Sequence, residues 1–139
     1  MRELKVSTLE ETELFPYSYA DRAVMSFNQG VLSFWGTVPI SPTHYVSAWE
    51  WPGNKRLTGA SRDGGLVVGF PAVDEHFMYY TAQNRESDGT ISTSVYRASL
   101  CGLPHEELFQ EASEGIGTPS VSADFLYVTL PSGVLRIPR

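Results

Sequence analysis

A chain of 139 residues is long enough for one domain with its own core. Aromatics make up 12% of it, and together with 12 Gly and 9 Pro they point to strands and turns rather than helices. The formal net charge of −6 speaks against a surface of clustered Lys and Arg, so neither nucleic acid nor an anionic membrane is an expected partner.

The opening stretch MRELKVSTLEETELF has no apolar core of a secretory signal. No apolar run approaches the roughly 20 residues of a membrane helix, so the expectation is a soluble, cytoplasmic single domain over residues 1–139. The first short strand-like segment is Glu-Leu-Phe at 13–15, followed by AVMSF (23–27) and LSFW (32–35). A long connection, residues 36–44, carries His44. Next comes YVSAWEW (45–51), whose alternation places Tyr45, Trp49 and Trp51 on one face. Such a face packs in a core, fills an interface or stacks on a sugar. The turn Pro52-Gly53-Asn54 leads into RLT (56–58).

Ser61-Arg62-Asp63-Gly64-Gly65 is similar to the Asp box of sialidase-like propellers, a turn in which an Asp side chain bonds local amides. LVVGF (66–70) and FMYYT (77–81) follow, then a second long connection, residues 82–93, with Asn84, Arg85, Glu86 and Asp88. SVYRASL (94–100) precedes Cys101, a lone thiol with no disulfide partner and the character of a small apolar residue. Residues 103–115 suit either a short amphipathic helix or a strand near 107–110. TPSV (118–121), FLYVT (125–129) and GVLRIP (133–138) complete the series. His44, His76 and His105 make no zinc-like spacing, so no metal and no cofactor is expected.

These segments repeat. Phe77 to Thr81 matches Phe125 to Thr129 at an offset of 48, and Pro71 and Val73 match Pro119 and Val121 at the same offset. Leu32 to Trp35 matches the Phe77 segment at an offset of 45. Glu-Leu-Phe itself recurs at 107–109. Periods of this size mean stacked or radial supersecondary units. FMYY and FLYV are apolar on both alternating faces, as in sheets covered on both sides. The expected fold is all-β, with three four-stranded antiparallel units, residues 13–15 supplying the fourth strand of the last one.

Segments such as PSVSADFLYVTLPSGVLRI resemble blades of TolB-like and WD-repeat-like β-propellers, although the Trp-Asp dipeptide of true WD repeats is absent. The resemblance implies a propeller-like arrangement and a binding module rather than an enzyme. Three blades do not close a ring, so it also implies a homo-oligomer, most simply a dimer with six blades. The β-trefoil is the alternative fold. A propeller-type glycoside hydrolase and a carbohydrate-binding trefoil are the alternative functions, the hydrolase requiring two placed carboxylates. Carbohydrate, peptide and protein are the candidate ligands. The long connections, expected at one end of the sheets, nominate His44, Arg62, Asp63, Asn84, Arg85 and Asp88 as binding residues, with Tyr45, Trp49 and Trp51 as the aromatic face.

Overall fold

The computed structural model describes residues 2–5, 10–13, 22–37, 43–51, 53, 55–64, 66–102 and 104–139. Of the expected elements, Leu14, Phe15, residues 38–42, Pro52, Asn54 and Gly65 lie outside these. The described residues form strands and turns with no helix, and residues 105–111, ambiguous in sequence, are a strand.

β1 (Arg2–Lys5) and β2 (Glu10–Glu13) form a two-stranded hairpin. Sheet 1 is the meander β3 (Arg22–Asn28), β4 (Val31–Thr37), β5 (His44–Glu50) and β6 (Lys55–Arg62). Sheet 2 repeats that order with β7 (Ala72–Val73), β8 (Phe77–Arg85), β9 (Ile91–Ser99) and β10 (His105–Glu111). Sheet 3 has only β11 (Thr118–Val121), β12 (Phe125–Leu130) and β13 (Gly133–Pro138).

Each unit thus pairs strands that are neighbours in sequence, as short polar turns between apolar runs dictate. A β-trefoil needs a barrel shared among its units. Here each meander is a separate sheet, so the trefoil alternative does not hold. Among the described residues the third unit has three strands rather than four, and Glu13 pairs with Arg2 in the hairpin and not with β13, while Leu14 and Phe15 of the expected closing strand lie outside them.

Sheet 2 is packed between the other two. From β8, Met78, Tyr80 and Ala82 join Val46, Ala48 and Val31 of sheet 1 in one core. The opposite face sends Tyr79, with Val95 from β9, against Leu126, Val128 and Leu130 of β12. Both faces of β8 are therefore dry, and this is why its sequence is apolar at consecutive positions. The buried polar residues of β8 and β9 have partners. Thr81 Oγ1 donates to the Gly117 carbonyl at 2.6 Å and Thr93 Oγ1 to that of Ser113 at 2.9 Å, while the Gln83 amide donates to the Glu114 carbonyl. These bonds strap the connection between sheets 2 and 3 onto sheet 2.

Two local features set the register. The β3–β4 turn has Gln29 and Gly30 at φ 48° and 78°, the two positive values of a type I′ hairpin. It is equivalent to the turns before Phe77 and Phe125, where Asp74 N–H donates to the Phe77 carbonyl and Ser122 N–H to that of Phe125. Val31, not Leu32, is thus the structural counterpart of Phe77. The sequence alignment at 45 residues was one position out, which exchanges the two faces of β4. The second feature is Gly36, directly opposite Tyr45, whose ring lies over it. A β-carbon at position 36 would stand 2.6 Å from the Tyr45 hydroxyl.

The inner strand of sheet 2 also departs from expectation. LVVGF makes a single bridge, Val68 to Ala82, and the ladder resumes only at Ala72 with Tyr79. Four residue steps on the inner segment face three on β8 there, a bulge at which Pro71 lacks an N–H to give.

Candidate functional site

The nominated residues are split between two ends of the sheets. His44, Arg62 and Asp63 stand at the end where β8 passes into β9. Trp51 stands at the other, its N–H bonded to the Gly30 carbonyl at 2.8 Å. The supposed long loop at 82–93 is mostly strand, because β8 runs to Arg85 and β9 starts at Ile91. Only residues 86–90 turn, and Asp88 caps that turn by accepting from both the N–H and the hydroxyl of Thr90, at 2.9 and 2.6 Å. Those hydrogen bonds hold its carboxyl below the usual range. Asp88 and Arg85 are exposed.

Tyr45 and Trp49 do share a face, the one directed away from sheet 2, and the Trp49 indole N–H donates to Ser47 Oγ at 3.0 Å. Asp63 accepts from the Thr43 hydroxyl at 2.6 Å. The His44 ring lies 5.8 Å from that of Trp35, and its buried Nδ1 has no hydrogen-bond partner among the described residues.

Arg62 and Asn84 are brought together. The Arg62 guanidinium donates to Asn84 Oδ1 at 3.1 Å and to the Gln83 carbonyl at 3.2 Å, and it stands 5.7 Å from the centre of the Tyr96 ring. Asn84 Nδ2 in turn donates to Ser94 Oγ and Tyr96 Oη, both at 2.8 Å. Tyr96 stacks on Tyr80, with ring centres 5.2 Å apart, and its hydroxyl donates to Glu107 at 3.2 Å. The Tyr80 hydroxyl meets His105 Nδ1 at 2.6 Å, and His105 Nε2 lies 3.4 Å from the Thr58 hydroxyl. This chain of polar groups seams β6 of sheet 1 to β8, β9 and β10 of sheet 2. Burial pushes the Tyr80 hydroxyl well above its ordinary value. Burial and the Arg62 charge together push the His105 imidazole below 6.5.

Burial and the nearby Arg62 guanidinium both disfavour a proton on His105. The folded state therefore binds this proton less readily than the unfolded chain. Its contribution to stability is whole above pH 6.5 and falls as pH drops from 6.5 toward the lower folded value. Urea midpoints should fall between about pH 7.5 and about pH 5, and His105→Gln should flatten that slope.

Two other places, not among the nominated residues, carry a built side-chain arrangement. At the opposite end, the first turns of all three units meet around a cleft of about 790 Å³, with Asn28, Asp74, Ser122 and Arg139 on its walls. Asp74 is its anchor. Oδ1 accepts from the N–H groups of His76 and Phe77 at 2.7 and 2.8 Å, and Oδ2 from the Tyr79 hydroxyl at 2.8 Å and Arg139 at 2.6 Å. Burial alone would raise this carboxyl, but those donors outweigh it and hold it below 3.8. Burial and the bond to Asp74 push Tyr79 up to about 12. Across the cleft, Asn28 Nδ2 donates to the Val73 carbonyl at 2.8 Å and joins sheet 1 to sheet 2. Pro71, at the break in the inner segment of sheet 2, and Pro119, within β11 of sheet 3, carry no N–H and blunt these edges against strand addition.

The second place is the outer face of sheet 3. Phe125, Tyr127, Thr129, Val134 and Arg136 occupy the same ladder positions as Phe77, Tyr79, Thr81, Val95 and Arg97. The side-chain geometry repeats as well. Ring centres of Phe77 and Tyr79 are 6.1 Å apart, and those of Phe125 and Tyr127 6.2 Å. Arg97 sits 4.6 Å over Phe77, and Arg136 sits 4.7 Å over Phe125. The difference is cover: Tyr79, Thr81 and Val95 are buried by sheet 3, whereas Tyr127 is 38% and Val134 71% exposed. The signal for this lay in the repeat itself.

Among the described residues no three His, Cys, Asp or Glu side chains gather as a metal site, and no helix is long and apolar enough to cross a membrane. No protein-family model matches the chain, and no curated protein or solved structure matches it.

Proposed function

We propose that the protein is a non-enzymatic binding module of the β-propeller type, in which the three meander sheets are successive blades and the uncovered face of sheet 3 is the docking surface. The observation that carries this reading is the five-residue match between that face and the one by which sheet 2 receives sheet 3. A surface already built to accept a further blade is apolar enough to favour burial, each such side chain being worth roughly 1.5–3 kcal/mol. The partner is a protein, most simply a second copy, and two copies together supply six blades, a number within the range at which propellers close.

Sedimentation equilibrium at micromolar concentration tests this. The expected species is a dimer of the 15.4 kDa chain. Val134→Asp places a carboxylate on the docking face, at its most exposed apolar residue, and should give a monomer with an unchanged far-ultraviolet spectrum. A wild-type monomer would overturn the reading.

A further inference from the structure

Sheet 3 lacks one strand relative to sheets 1 and 2, so the outer edge of β13 is unpaired among the described residues. In sheet 2 the equivalent edge, that of β9, is covered by β10. That strand contributes Leu108 and Phe109 to the core shared with sheet 3, and it sets Glu106 against Arg97 at 2.5 Å. Arg136 holds the position of Arg97, but among the described residues no carboxylate pairs with it. β13 carries no acidic residue, and Arg136 is its one charged side chain.

A second unpaired edge has the opposite charge. β2 is Glu10-Glu11-Thr12-Glu13, bonded on one side to β1 and, among the described residues, to nothing on the other. Arg2 and Lys5 stand opposite Glu13 and Glu10, and Glu11 stands opposite Leu4. With four glutamates against one arginine and one lysine, the hairpin strands keep an excess of negative charge. The residues after β2 in the sequence are Leu14 and Phe15, the same pair that follows Glu107 in β10. Edge strands with free backbone donors and acceptors are templates for pairing. Within this chain the two edges do not pair with each other.

We infer that β13 is an acceptor edge for the acidic strand β2 of a second copy of this chain, each copy completing sheet 3 of the other. The inference rests on the two-copy reading above and adds the contact that makes it reciprocal. A two-fold exchange of this kind closes on itself, since β2 of each copy meets β13 of the other. Arg136 then gains the carboxylate that Arg97 finds in Glu106, and the outer edge of the third sheet is covered.

Charge reversal by mixing tests it. One variant is Arg136→Glu, and the other combines Glu10→Lys, Glu11→Lys and Glu13→Lys. Each alone sets like charges against each other at the exchanged strand and should sediment as a monomer. Mixed in equal amounts they should recover the dimer, because both contacts of the heterodimer are again opposite in sign. Recovery on mixing also shows that each variant is folded. If both variants alone remain dimeric, the strand exchange is wrong and the two-copy reading stands. If they are monomeric and mixing restores nothing, the exchange is likewise overturned. A monomeric wild type overturns both.

Discussion

Replacing Asp74 by Ala should lower the unfolding free energy by about 3 kcal/mol, a large part of the total for a domain of this size. Four donors converge on this one side chain: the N–H groups of His76 and Phe77, the Tyr79 hydroxyl and the Arg139 guanidinium. Truncation strips all four at once. Tyr79 is buried, so its hydroxyl has no water to turn to, and an unsatisfied buried donor costs about 1–3 kcal/mol. Asp74→Asn keeps the shape and one acceptor oxygen and should cost less. Arg139→Ala should cost less again, because that guanidinium reaches solvent. The acid limb carries the same signature. The Asp74 contribution is whole above pH 3.8 and is lost as pH falls through its lower folded value, so Asp74→Ala should weaken the acid sensitivity of the fold. Equilibrium urea unfolding of the three variants ranks them. Equal losses for Asp74→Ala and Arg139→Ala would mean that the ion pair alone matters.

The second large effect belongs to Leu126. It is 1% exposed and packs with Tyr79, Val95 and Val128 between sheets 2 and 3. Leu126→Ala should cost about 3 kcal/mol, within the range of roughly 2–5 found when such a site cannot collapse. Its neighbour gives the contrast. Tyr127 points to the opposite face and is 38% exposed, so Tyr127→Ala should cost well under half as much in the single chain. The apolar run FLYV reads as a strand covered on both faces, but on β12 only Leu126 and Val128 of that run are buried, and Phe125 is only partly covered. Denaturation at a concentration below dimer formation isolates the packing term from association. Comparable losses for Leu126→Ala and Tyr127→Ala would mean that sheet 3 is covered on both faces within one chain.

In the proposed assembly through a sheet face and a strand edge, specificity would lie in register and charge rather than in a pocket. Arg136 illustrates this. Its ring contact with Phe125 orients the guanidinium, and its missing carboxylate defines what must arrive. The cleft at the turns has a different role, as its side chains are engaged in joining one sheet to the next: Asn28 to Val73, Arg139 to Asp74.

The strands and their order were readable in the sequence because their causes are local. Consecutive apolar residues in FMYY announce a strand dry on both faces, and Gly30 announces a tight hairpin. Meanders follow, since neighbours in sequence pair across short turns. The repeat also carried the face of sheet 3, because Tyr127 and Arg136 copy Tyr79 and Arg97. Register, pairing partner and role were not local. Nothing in Leu32 itself distinguishes it from Val31, and a slip of one residue turns a strand over; the geometry of the Gln29–Gly30 turn settles the choice. Glu-Leu-Phe reads alike at 13–15 and 107–109, yet Glu13 pairs with β1 and Glu107 with β9. Backbone hydrogen bonds are common to every residue and do not name their partner. Nothing in Asp74-Glu75-His76 alone marks more than a polar turn, and Asp74 is a buried anchor because folding brings Tyr79 and Arg139 to its side.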